Sequence, residues 1–266
     1  MISTQKNLPK IGFGTWSIGG KDQADPGQDE VSLAALNSAV CLGYRHFDTA
    51  EYYAAGHAEE LLGQVINQAV ISRSEFFITS KVSPEHLSYS QVMSSCEKSL
   101  QRLNLNYLDL YLIHWPKRGM DLPGTFRALN QLITEGIIKN LGVSNFDLKL
   151  MEKSVLLSEA PIFTNQVSYS IPDRTVEKNG VLAFCQSHEI LLTAYSPVKR
   201  RNIHSNPILK SIALSHGISP QQAAIAWLIN REGIVTIPMS LNPQHQADNL
   251  AAGNIKLTSS EMESLN

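Results

Sequence analysis

The chain has 266 residues, 43% hydrophobic and 17% charged, which is enough to bury a large core. Its 22 basic and 24 acidic side chains leave a net charge of -2, with no basic run longer than Lys199-Arg200-Arg201, so neither nucleic acid nor anionic lipid is an expected partner and small molecules are. Cys41, Cys96 and Cys185 lie far apart with no CxxC pair, no segment reaches the ~18 apolar residues of a membrane span, and residues 1–10 lack the apolar core of a signal peptide; a cytoplasmic protein is expected.

Residues 11–16 read as a short strand whose glycines admit close backbone approach, followed by a Gly/Asp/Pro loop over 18–28. Asp29 or a neighbour is placed to cap a helix whose apolar residues recur at helical spacing until Gly43 stops it. The stretch 44–53 then runs from a short strand into Asp48 and the phenol of Tyr53, with Glu51, Tyr52 and His57 read as loop residues. Residues 58–68 form an amphipathic helix, and 76–81 a β-branched and aromatic strand that ends at Lys81. Ser88 or Ser90 caps a helix through Leu103, and the strand 108–113 stops at His114-Trp115-Pro116, because proline has no N–H for a ladder.

The pattern repeats. A helix over 125–135 precedes a strand at 138–143 closing on Ser144-Asn145; a helix over 148–157 precedes a strand at 162–166 ending at Gln166; a helix over 176–188 precedes a strand at 190–194 ending at Tyr195-Ser196-Pro197. Helices over 206–216 and 221–231 lead to the strand 234–237 and a final helix over 244–252. Eight strands alternating with helices at roughly 30 residues per unit require parallel pairing, and the length suits an α/β fold of the (β/α)8 TIM-barrel type, a single domain over 1–266 with a short N-terminal extension. The alternative, an open doubly wound sheet, carries a Gly-rich turn that runs into a helix, whereas Gly12-Phe13-Gly14 runs into Thr15-Trp16.

In a barrel the strand ends ring one mouth, where loops leave side chains open to a ligand. Here they carry Trp16, Asp48 with Tyr53, Lys81, His114 with Trp115, Ser144-Asn145, Gln166, Tyr195-Ser196 and Met239-Ser240. Singly, each has a bland explanation: a structural Asp48–Lys81 ion pair, a core histidine, packing tyrosines, and strand-end caps at Ser144, Asn145 and Gln166. Their coincidence at one rim points to a site. No pair of histidines at ligand spacing sits at strand ends, so no metal is expected.

The motifs Gly-Phe-Gly-Thr-Trp at 12–16, Gly-Tyr-Arg-His-Phe-Asp-Thr-Ala at 43–50, Thr-Ser-Lys at 79–81, Asp-Leu-Tyr-Leu-Ile-His-Trp-Pro at 109–116, Gly-Val-Ser-Asn-Phe at 142–146, Asn-Gln-Val at 165–167 and Ala-Tyr-Ser-Pro at 194–197 together resemble the aldo-keto reductase family. The resemblance runs from Leu8 to Asn249, and residues 56–60 look most like its bacterial members. It implies hydride transfer from NAD(P)H to the carbonyl carbon of a small aldehyde or ketone, with a catalytic tetrad at Asp48, Tyr53, Lys81 and His114. Tyr53 is then the proton donor, Lys81 the cation that lowers its pKa, Asp48 the partner of Lys81, and His114 the group that orients the substrate between Trp16 and Trp115.

Cofactor contacts are implied at Thr15, Trp16, Asp48, Ser144, Asn145, Gln166, Tyr195, Ser196, Pro197, Ser240, His245 and Asn249, with NADP(H) favoured and NAD(H) not excluded. The family's usual lysine and arginine for the 2′-phosphate are replaced by Met239 and His245, leaving Ser240, His245, Asn249, the helix N-terminus near Pro243 and the basic run 199–201 as the remaining anion-binding groups. The short loop 116–123 implies an open site for varied carbonyls, and a monomer is expected. The rival from another class is a nucleotide-binding regulatory subunit on the same fold.

Overall fold

In the computed structural model, which describes residues 8–198, 203 and 205–265, eight strands form one sheet in sequence order with every neighbouring pair parallel. The order is β1 (Phe13–Gly14), α1 (Asp29–Leu42), β2 (His46–Asp48), α2 (His57–Gln68), β3 (Phe77–Val82), α3 (Tyr89–Leu103), β4 (Leu110–Ile113), α4 (Leu122–Thr134), β5 (Leu141–Ser144) and α5 (Leu148–Leu157). It continues with β6 (Ile162–Ser168), α6 (Thr175–Lys178), α7 (Val181–Ser187), β7 (Leu191–Tyr195), α8 (Pro207–His216), α9 (Pro220–Ile229), β8 (Ile234–Thr236), α10 (Pro243–Ala251) and α11 (Ser259–Ser264).

The sheet closes on itself. Ile11 bridges Thr236 in parallel, Gly12 N–H donates to the Thr236 carbonyl at 2.8 Å, and Thr236 N–H donates to the Lys10 carbonyl at 2.8 Å. A Cβ on Gly14 would stand 2.8 Å from the Ile237 carbonyl oxygen, so only glycine lets the first and last strands come this close. Inside the barrel, Leu110, Leu112, Phe163 and Val235 pack with Leu8, which comes from the segment before β1, and Phe77 stacks on Phe163 with ring centroids 5.6 Å apart. That plug fills the floor and leaves the strand C-termini as the end at which a cavity can open.

The closed barrel agrees with the strand–helix alternation, and the departures have local causes. The strand expected over 11–16 is regular only at Phe13–Gly14, because Ser17 turns back with φ 75°. The helix expected over 176–188 breaks into α6 and α7 at Gly180, whose φ is 83°. Asp29 does not cap α1, which starts at Asp29 itself with Gln28 as its cap residue; its carboxylate instead receives His57 Nε2 at 2.8 Å. Helix α11, not anticipated from the sequence, is held by the reciprocal cap of Thr258 and Glu261. Residues 1–7, the N-terminal extension, and the basic run 199–201 lie outside the described residues. Among the described residues no helix is long and apolar enough to cross a membrane.

Candidate active site

β2 pairs with β1 and β3 so that Asp48 lies beside Gly14 and Thr79, and its backbone carbonyl is held from above by Thr15 N–H (2.9 Å) and Thr15 Oγ1 (3.1 Å). Past Asp48 the chain makes a tight 3-10 turn over Tyr53–Gly56 in which Ala54 and Ala55 take φ of 50° and 53°, a conformation that costs alanine energy. Ala54 N–H donates to the Lys21 carbonyl at 2.6 Å, tying this turn to the loop after β1. The turn brings the Tyr53 phenol over the end of β3.

Lys81 in β3 is fully buried. Its ammonium has three N–H groups, and all three are used: Asp48 Oδ1 at 2.6 Å, the Thr49 carbonyl at 2.7 Å and the Tyr53 hydroxyl oxygen at 3.2 Å. The other Asp48 oxygen accepts from Gln166 Nε2 at 2.7 Å, so the buried carboxylate is satisfied on both sides. His114, at the end of β4, packs edge-on to Tyr53 with centroids 5.4 Å apart, and Trp16 does so from another side at 5.1 Å.

Burial sets the electrostatics. It pushes the Tyr53 phenol above its ordinary pKa, the Asp48 carboxylate adds to that, and the pull of Lys81 downward is too small to reverse it. The expectation that Lys81 brings the phenol below its ordinary value is therefore corrected. For Lys81, burial opposes the charge, but Asp48 and Tyr53 outweigh burial and hold the ammonium above its ordinary range. Burial, with Lys81 adding to it, drives His114 down to about 3, so its imidazole is neutral at physiological pH.

A cavity of about 920 Å³ opens at this rim. Thr15, Trp16, Asp48, Tyr53, His114, Trp115, Ser144, Asn145, Gln166, Tyr195, Ser196 and Pro197 all line it, as does Met239; Lys81 lies behind the wall and reaches it through Tyr53. The strand-end residues are also wired together. Ser144 Oγ donates to the Gln166 carbonyl (2.8 Å), Asn145 Nδ2 donates to the His114 carbonyl (3.2 Å) and Ser144 Oγ (2.9 Å), and Tyr195 hydroxyl donates to Asn145 Oδ1 (2.9 Å). Capping and site formation are thus the same bonds.

Ser240, His245 and Asn249 are not in the lining; they follow β8 in the loop and in α10. Asn242 caps α10 by accepting from the N–H groups of Gln244 (2.8 Å) and His245 (3.2 Å), so the amides expected there for an anion are already taken by the chain's own cap.

Three residues read as loop have defined places. Tyr52 stacks on Trp16 (6.3 Å, 3° between planes) and donates to Asp22 Oδ1 at 3.1 Å. Glu51 Oε1 accepts from Ser83 N–H at 2.6 Å and meets His86 Nδ1 at 2.9 Å. His57 begins α2 and bridges Asp29 and Glu60. Pro84 and Glu85, not singled out by the sequence, also line the cavity.

The cavity walls join aromatic ring faces to side-chain amides and a phenol, which suits an aromatic ring bearing a carboxamide, as in nicotinamide. Fold and site together define a barrel with a phenol beside a buried ion pair at its open end. The chain belongs to the aldo/keto reductase family, whose model matches residues 10–266. It is an oxidoreductase of small aldehydes and ketones that uses NAD(P)H.

Among curated relatives, methylglyoxal reductase YeaE of Escherichia coli K12 is 35% identical over 99% of this chain and 92% of its own length. The glyoxal reductase of Bacillus subtilis is 33% identical over 97% of this chain and 88% of its own. Among solved structures, the thermostable aldo-keto reductase Tm1743, bound to the inhibitor epalrestat, superposes with a TM-score of 0.93 at 41% identity, covering 97% of this chain and 94% of that one. An aldo-keto reductase from Klebsiella pneumoniae in complex with NADPH does so with 0.86 at 34% identity, over 97% and 90%.

Proposed function

We propose that Tyr53 donates the proton in carbonyl reduction, and that Lys81, Asp48 and His114 make it able to do so. The observation that carries this reading is the direction of one hydrogen bond: Lys81 donates its third N–H to the Tyr53 oxygen, so the phenol's own proton remains for a group in the cavity. A bound nicotinamide supplies the hydride that leaves an alkoxide in need of a proton. The raised pKa keeps Tyr53 protonated until that moment, and the adjacent ammonium stabilises the phenolate left behind. Asp48 anchors the ammonium, Gln166 anchors Asp48, and His114, held neutral, orients the carbonyl oxygen. Trp16 and Trp115 wall the substrate.

NADP(H) is the favoured cofactor, a reading supported by solved relatives from Klebsiella pneumoniae in complex with NADPH and with NADP. Tyr195 would face its nicotinamide ring, with Thr15, Ser144, Asn145, Gln166, Ser196 and Pro197 around it. Ser240, His245 and Asn249 would meet the 2′-phosphate end, but with Met239 in place of the family's lysine the discrimination against NADH is weak. Met239→Lys should tighten NADPH binding about tenfold and leave NADH nearly unchanged, since a cation gains only where there is a phosphate. Fluorescence titration of both cofactors checks this; equal gains would show that position 239 does not face the 2′-phosphate.

The names of the relatives point to small 2-oxoaldehydes such as methylglyoxal and glyoxal as substrates. The reading includes a single-domain monomer in a reducing cytoplasm, consistent with three cysteines that are all free thiols. Cofactor consumption by purified protein across a panel of aldehydes and ketones tests it, with 2-oxoaldehydes expected among the best.

A further inference from the structure

The loop after β3 puts a carboxylate at the mouth of the cavity. Glu85 lines the cavity and is exposed, and its place is fixed from both sides: Glu51 Oε1, largely buried, holds Ser83 N–H at 2.6 Å and His86 Nδ1 at 2.9 Å. The only other charged group among the described lining residues is Asp48, and Lys81 neutralises it at 2.6 Å with every ammonium donor turned inward. Tyr52, which lines the same cavity, donates its hydroxyl to Asp22 at 3.1 Å. Asp22 above all, then burial and Glu85, push the Tyr52 phenol above its ordinary pKa. Of the basic side chains nearby, His86 faces Glu51 and Lys21 is exposed on the loop that also holds Asp22, while the run 199–201 lies outside the described residues.

We infer that Glu85 selects substrates by charge, favouring carbonyl compounds that carry a cationic group and disfavouring those that carry a carboxylate. This rests on the reading of the cavity as the carbonyl-reducing site. A substrate with its carbonyl at Tyr53 and His114 holds its far end toward the mouth, where a unit charge beside Glu85 is stabilised or destabilised according to sign. At a half-solvated rim the effect is about three- to fivefold for each sign, so roughly tenfold in the ratio of a cationic to an anionic substrate.

The test compares kcat/KM near neutral pH for benzaldehyde, para-formylbenzoate and (para-formylphenyl)trimethylammonium in the wild type and in Glu85→Gln. Each substrate is divided by itself across the two proteins, which removes its intrinsic reactivity. The cation-to-anion ratio should fall about tenfold in Glu85→Gln and further in Glu85→Lys, and the wild-type preference should shrink at about 1 M salt, where the Debye length is ~3 Å. If the three aldehydes change together, or the ratio does not respond to either substitution or to salt, the inference is overturned. Absence of turnover on benzaldehyde and the other carbonyls alike would instead overturn the reduction reading itself.

Discussion

Tyr53→Phe should lower kcat by a factor of about 10² to 10⁴, the usual contribution of a positioned general acid, while the dissociation constant for NADPH stays within about twofold. The substitution removes one oxygen and keeps the ring that packs against Trp16 and His114. What disappears is the O–H that faces the cavity and the acceptor for the third donor of Lys81. The second loss leaves a buried N–H unsatisfied, so the variant should also unfold more easily, by roughly 1–3 kcal/mol. The two effects are separable, because steady-state turnover reads the first and urea unfolding the second. A variant that reduces aldehydes at the wild-type rate would show that the proton comes from elsewhere.

Stability should fall steeply as pH drops below about 6.5, because two histidines are buried as neutral groups. His46 is held down to about 4, by burial above all, and His114 to about 3, by burial and then Lys81, against an ordinary value of 6.5. Depressed values mean that the unfolded chain takes up these protons first. The stabilisation is therefore full above about 6.5 and is lost progressively as pH falls through the folded values near 4 and 3. With nearly two more protons on the unfolded chain, the slope is about 2.4 kcal/mol per pH unit between roughly pH 6 and 5.

His57 works on the other flank. Burial opposes its charge, but its bonds to Glu60 and Asp29 raise its pKa, so its contribution is present below 6.5 and is lost as pH rises through the higher folded value. A maximum near neutrality follows. Urea unfolding across this range checks it, and His46→Asn should remove about half of the acid-side slope; a flat profile between pH 6 and 5 would refute the assignment.

The strands and the gathering of four side chains at one rim were legible because alternation fixes where each strand ends, and Asp48, Lys81 and His114 stand at those ends with Tyr53 one turn later. Ser144, Asn145 and Gln166 were legible for the same reason, although which partner each one takes was not. Nothing in the local pattern shows that Gln166 reaches Asp48 across 118 residues of chain or that Glu51 pins the loop after β3. Those bonds exist only once the barrel brings strand ends together. The direction of the Tyr53 shift was missed because it depends on how deeply the phenol is buried, and spacing alone does not carry burial. At α10 the cap by Asn242 was not read from the sequence, which suggested only an anion-binding helix N-terminus near Pro243.

The most direct measurement of the central claim is a single experiment with the purified protein, NADPH deuterated at the transferable position of its nicotinamide, and methylglyoxal. NADPH should be oxidised mole for mole with alcohol formed, the deuterium should appear on the former carbonyl carbon, and Tyr53→Phe should suppress both. Tight NADPH binding with no oxidation on this or any other small carbonyl would contradict the claim, and would mark the chain as a nucleotide-binding protein on a reductase fold.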